Sequence, residues 1–226
     1  MTPEEKAREL ALGLKDAYPD SVCSLEWEEP WQLVIMGSLS AQCLDATVNR
    51  VCRDLFREMP TLSDVADCDV HRLEKIIHSC GMFRTKAANV KAACLMLRDE
   101  FGGVVPDTEK ELRKLPGVGL KVANLLLGDL YGVQRIVPDT HCIKICGRFG
   151  LYPEELRDPA KIEKILSALI PTEMQTETCH RLVDFGRDVC SSPTPRCEKC
   201  PEKIRDLCDH YLHKSAEKAE KDGEKS

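Results

Sequence analysis

No stretch of this 226-residue sequence reaches the roughly 18 consecutive apolar residues that a membrane-spanning helix requires. The opening residues, MTPEEKAREL, lack the basic-then-apolar layout of an export signal. A soluble, intracellular protein with no membrane partner is therefore expected. Sustained period-two alternation is missing, as are paired runs at hairpin spacing, and this excludes a sheet-based fold. No repeat of 20–50 residues is present, which excludes solenoids and propellers. A net positive charge is missing as well. The formal charge is −6, which counts against a nucleic-acid partner until its distribution is considered.

That distribution is uneven. Residues 1–30 hold eight acids and three bases, while the tail 214–226 holds four of each, so 31–213 is close to neutral. Within it, 72–98 carries Arg72, Lys75, Arg84, Lys86, Lys91 and Arg98 against Glu74 alone. Such a stripe is either a solvated helix face or a surface that meets phosphates.

What is present reads as helix. Thr2, Pro3 and Glu5 compose a capping box, and Ala7, Leu10, Ala11, Leu14 and Tyr18 follow at helical spacing. PWQLVIMGSLSAQC (30–43) reads as a helix buried on most sides. Asp45 is expected to cap a helix that Pro60 ends, and Asp69 one that closes at Gly81. Further helices are expected over 85–101, near 108–114, from 119 to 131, after Asp139, after Asp158 and over 176–190. The closing KSAEKAEKDGEKS has no large apolar residue and is expected to be disordered.

Two places carry chemistry. In LPGVGLKVAN (115–124), Pro116 ends one helix. Gly117 and Gly119 can take positive φ and permit close backbone approach. The next helix then offers free amides and positive dipole at its start. That is an anion site, suited to a DNA phosphate at Gly117, Val118 and Gly119. Lys121 lies in the first turn of that helix, where positive dipole disfavours the ammonium and burial would do the same. The second place holds four of the thirteen cysteines. Cys190, Cys197, Cys200 and Cys208 are spaced C-x6-C-x2-C-x7-C. Four soft thiolates so close suggest a metal site, zinc or iron–sulfur. The other nine read as small core residues. Asp139, just before a helix, reads on its own as an N-cap.

The turn 115–124 resembles the helix-hairpin-helix motif of a family of DNA glycosylases. Three further segments are similar to its endonuclease III branch: SLSAQCLDATVNR (38–50), IVPDTHCIKICGRFG (136–150) and the cysteine cluster. The resemblance runs from about 30 to 210. It implies an all-α fold of two helical lobes, residues 24–132 carrying the hairpin and residues 1–23 with 133–212 carrying a C-terminal iron–sulfur loop. A disordered charged tail, 213–226, would follow. Lys121 and Asp139 would face each other across a DNA cleft.

The resemblance also implies that Lys121 is a nucleophile forming a Schiff base, with Asp139 stabilising the cationic sugar. Gln42 would fill the gap left by a flipped base, and Met82 would be the wedge, with Arg84 and Lys86 as basic neighbours. Cys190, Cys197, Cys200 and Cys208 would hold a 4Fe-4S cluster, and Arg196 would meet a phosphate. His141 is expected to support the structure. The implied partner is double-stranded DNA with damaged bases or abasic sites, bound by a monomer. The implied activity is that of a bifunctional glycosylase and apurinic/apyrimidinic lyase for oxidised pyrimidines. Two rivals are a monofunctional mismatch glycosylase and a non-catalytic iron–sulfur DNA sensor. Lys121 and the early end of the chain count against the first, and the pair Lys121 and Asp139 against the second.

Overall fold

A computed structural model describes the backbone of residues 1–223 and side-chain surroundings through residue 216. Among the described residues every regular element is a helix, and no helix is long and apolar enough to cross a membrane. The chain divides into two compact units. One is Cys23–Val133; the other joins Met1–Val22 to the chain from Gln134 onward.

The central unit begins with α2 (Pro30–Leu39), the helix following α1 (Pro3–Ala17). Nine of its ten residues are buried, and α3 (Asp45–Glu58), α6 (Phe83–Asp99) and α8 (Leu120–Tyr131) pack around it. A Cβ on Gly37 would lie 2.8 Å from Val122 Cγ1, so α2 and α8 meet at glycine-limited distance. Two short helices, α4 (Leu62–Asp67) and α5 (Val70–Ile76), lie on α6, and α7 (Glu109–Leu112) leads into the hairpin before α8.

In the other unit, α1 packs on α10 (Pro159–Leu169), α11 (Gln175–Asp188) and the short α12 (Glu202–Arg205), while α9 (Thr140–Arg148) packs on α11. α13 runs from Asp209 to Gly223. Lys6 ties three of these segments together, donating to the Phe149 carbonyl at 2.9 Å and to Asp209 Oδ1 at 2.5 Å.

Several expectations need correction. α2 stops at Leu39 and does not run on to Cys43, because Ser40 Oγ donates back to the Gly37 carbonyl at 2.8 Å and Gln42 has φ 52, which no helix accepts. Asp45 is not a cap. Leu44 holds that position and Asp45 is the first helical residue, where its charge complements the dipole. α4 went unread. It is opened by a reciprocal bond pair in which Asp64 N donates to Thr61 Oγ1 and Thr61 N donates to Asp64 Oδ2. The charged tail is helical as far as Gly223, because Ala, Glu and Lys are strong helix formers whether or not they bury anything. Its residues 224–226 lie outside the described residues.

Candidate functional site

Each unit carries part of the predicted chemistry. In the central unit, Gly117 has φ +83, and a Cβ there would sit 2.3 Å from Ser38 Oγ and 3.2 Å from Asn89 Cβ. The hairpin is thus seated on the end of α2 and the middle of α6 by a residue that must be glycine. Gly119 differs from expectation: its φ is −92 and ψ −175, ordinary extended backbone. A Cβ there would meet nothing within 4 Å, so the fold does not demand glycine at this position. Gly119 is the N-cap of α8 and supplies no side-chain bond to it, which leaves the first amides of the helix without an intrahelical acceptor. Val118 is buried between the two glycines.

Lys121 is the second residue of α8 and is half-buried, not enclosed. Its ammonium makes no hydrogen bond or ion pair with the described residues.

Two loops of the same unit hold the other candidates. Gln42 is exposed in the turn after α2, and Met82 is 55% exposed as the N-cap residue of α6. Neither is a core residue. Among the described residues these are the two non-glycine positions with positive φ, 52 and 43. The left-handed region costs an L-residue roughly 1–2 kcal/mol, and such strain clusters at functional sites. Leu44, two residues from Gln42, is 77% exposed and adds a second apolar side chain to this surface. Arg84 is exposed, its guanidinium 5.4 Å from the Phe83 ring centroid.

Lys86 contradicts the reading of it as a basic neighbour of the wedge. It is 5% exposed, and its Nζ donates to the carbonyls of Leu39 (2.9 Å), Ala41 (2.7 Å) and Cys80 (2.6 Å). The stripe over 72–98 is likewise dispersed. Arg72 pairs with Glu58, Arg98 with Asp67 and Asp99, and Lys91 donates to the Cys68 carbonyl. The helices turn these cations inward or toward acids; Arg84 and Lys75 stay exposed.

In the other unit, Asp139 is the N-cap of α9, its Oδ1 accepting from Cys142 N at 2.7 Å. Capping fixes one carboxylate oxygen and leaves Oδ2 without a bond to the described residues. His141 lies in a helix contact. Its Nδ1 lies where a Cβ on Gly186 would come within 2.2 Å, so α9 rests on α11 through an imidazole over a glycine.

Cys190, Cys197, Cys200 and Cys208 line one small apolar cavity with Phe149, Phe185 and Val189. Burial, then the nearby sulfurs of Cys190, Cys208 and Cys197, push the Cys200 thiol up to about 12. Burial takes Cys208 to about 11. Burial raises Cys190 too, against the opposing pull of the Arg148 guanidinium. A positive centre among them would reverse this and favour thiolates. Among the described residues no three His, Cys, Asp or Glu side chains form a ready single-ion site.

Arg148 was missed by sequence reading. It is 4% exposed and donates to Cys190 Sγ at 3.1 Å and to the carbonyls of Cys190, Ser191 and Pro193. It thereby shapes the loop that carries the first cysteine. An arginine in a helix gives no sequence signal that it points inward. Arg196, expected at a phosphate, instead turns back to donate to the carbonyls of Arg187 and Asp188. The last carbonyls of a helix need donors, and α11 takes this one.

This fold and these residues define a known class. The chain belongs to the HhH-GPD superfamily of base excision DNA repair proteins, whose pattern matches residues 35–172. Within that class it is similar to endonuclease III of Synechocystis sp., 38% identical over 206 residues (91% of this chain, 92% of the relative). It is also 38% identical over 194 residues to endonuclease III of Bacillus subtilis (85% of this chain, 87% of the relative). A solved structure of a trapped endonuclease III–DNA covalent intermediate, an estranged-adenine complex, matches with TM-score 0.88 and 36% identity. That match covers 95% of this chain and 100% of the other.

Proposed function

We propose that this protein is a bifunctional base excision repair enzyme. It removes oxidised pyrimidines from duplex DNA and then cleaves 3′ to the abasic site. Membership of the repair superfamily and similarity to endonuclease III along nearly the whole chain support the reaction class. The single observation that carries the reading is Lys121, an unpaired amine on the first turn of α8, directly after a glycine hairpin whose helix start suits a phosphate.

The chemistry follows from those groups. A base inside the stack cannot be attacked, so the nucleotide is flipped out. Gln42 and Met82 occupy the space it leaves, Met82 as an apolar wedge. Amides at Gly117, Gly119 and the start of α8 hold a phosphate, which orients the sugar; the Val118 amide, also expected there, is taken instead by the Leu115 carbonyl at 3.0 Å. The Lys121 Nζ lone pair attacks C1′ as the C1′–base bond breaks. The base leaves with the bonding pair of the C1′–base bond and takes up a proton. Asp139 stabilises the cationic sugar and assists proton transfer. The ring opens to an imine between Nζ and C1′. The imine acidifies the C2′ proton. Its removal forms a C2′–C3′ double bond as the C3′–O bond breaks, releasing the 3′ phosphate.

Cys190, Cys197, Cys200 and Cys208 would hold a 4Fe-4S cluster. Four sulfurs around one apolar cavity are a suitable donor set. When bound, the cluster supplies a rigid centre to the loop; it takes no part in base release.

Incubating the protein with abasic-site DNA and borohydride tests the reading. A covalent adduct is expected. Base release without an adduct would indicate the monofunctional mismatch enzyme, and binding alone the sensor.

A further inference from the structure

We propose that Lys86 is a positioning residue. Its buried ammonium locks the Gln42 turn and the Met82 turn together, so that the two side chains enter the duplex as one unit. This rests on the functional reading above and concerns how that enzyme opens its substrate.

An ammonium has three N–H donors and no acceptor. Each Lys86 donor is matched to one carbonyl, from Leu39, Ala41 and Cys80. The choice of carbonyls is specific. Leu39 is the last residue of α2, where the negative end of the helix favours a cation. Ala41 immediately precedes Gln42. Cys80 closes the short turn His78–Cys80 that precedes Gly81 and Met82. The backbone of the same residue adds a fourth link, because Lys86 N donates to the Met82 carbonyl at 3.0 Å. One residue therefore bonds to the peptide groups beside both strained positions.

The strain gives these bonds their purpose. Gln42 and Met82 both hold left-handed backbone, where neither residue type stays without outside constraint. Both side chains project from the surface. A free loop would relax and lose its aim, whereas a loop bonded to a buried charge keeps it. Methionine at position 86 would fill similar volume but leave three carbonyls without a donor.

The test compares two substrates. Filling a gap matters only in a duplex, so the readouts are single-turnover base release from a thymine glycol duplex and borohydride trapping on a single-stranded abasic oligonucleotide. Lys86→Met is expected to slow duplex base release by about 10²-fold, the scale of an ångström misplacement. The fluorescence rise of a 2-aminopurine beside the lesion should fall with it, while single-strand trapping falls far less. Equal losses on both substrates, or no loss on either, would overturn the proposal, since a purely structural lysine affects both alike.

If Lys86→Met does not fold, Gln42→Asn and Met82→Asn keep the question open, because asparagine tolerates left-handed backbone. Combined, they should lose less duplex activity than the product of their single losses. Independent, multiplying losses would overturn the linkage. A wild-type protein that traps nothing on either substrate would overturn the functional reading and this proposal with it. An active wild type with equal losses in the variant overturns this proposal alone.

Discussion

At the scale of single residues, the molecule separates cations that look alike in sequence. Lys121 is half-buried and unpaired; Lys86 is enclosed by carbonyls; Arg196 closes a helix end. Sequence placed all three near DNA, because it records charge and spacing but not which acceptors a long side chain meets. The helix-start positions of Lys121 and Asp139 were legible because glycine or a short polar residue announces each start. Lys121→Gln should abolish borohydride trapping yet retain binding to lesion DNA, checked by gel shift. Asp139→Asn should slow base release by about 10²-fold, a typical loss of acid–base assistance. Its melting temperature should barely move, since asparagine caps a helix as well as aspartate does. Kinetics and a thermal melt on the same variant separate the two roles of that carboxylate.

At the scale of elements, the two hairpin glycines make opposite demands. Gly117 is required by the fold, since positive φ and the contact with Ser38 both forbid a Cβ. Gly119 meets open space, so the fold places no demand for glycine there. Gly117→Ala should cost about 1–3 kcal/mol of stability, measured by urea unfolding. Gly119→Ala should cost about 1 kcal/mol or less, through loss of a favourable N-cap residue, and should weaken DNA affinity. The helices themselves were largely readable from caps and periodicity: the Thr2–Glu5 box, Asp69, Asp139 and Asp158 all open helices. The failures share a cause. α2 ends early because Ser40 and Lys86 compete for its last carbonyls, and α4 spans too few residues to show a period. Tertiary bonds and short length are what a periodicity argument cannot see.

At the scale of the whole molecule, the four C-terminal cysteines converge on one cavity by the C-terminal ends of α9 and α11, and buried Arg148 bonds the loop carrying Cys190. Their spacing was visible in sequence, while Arg148 gave no sign. Anaerobically purified protein should absorb near 400 nm and carry about four irons per chain. Cys200→Ser should lose that colour and melt at lower temperature, because a structural metal centre contributes folding free energy. Colourless protein with stoichiometric zinc would contradict the cluster.

The most direct test of the central claim is to locate the trapped adduct. The protein is reacted with abasic-site DNA and borohydride, digested with nuclease and protease, and its peptides are weighed by mass spectrometry. The sugar remnant is expected on Lys121 alone; a remnant on any other amine, with Lys121 unmodified, would contradict the account.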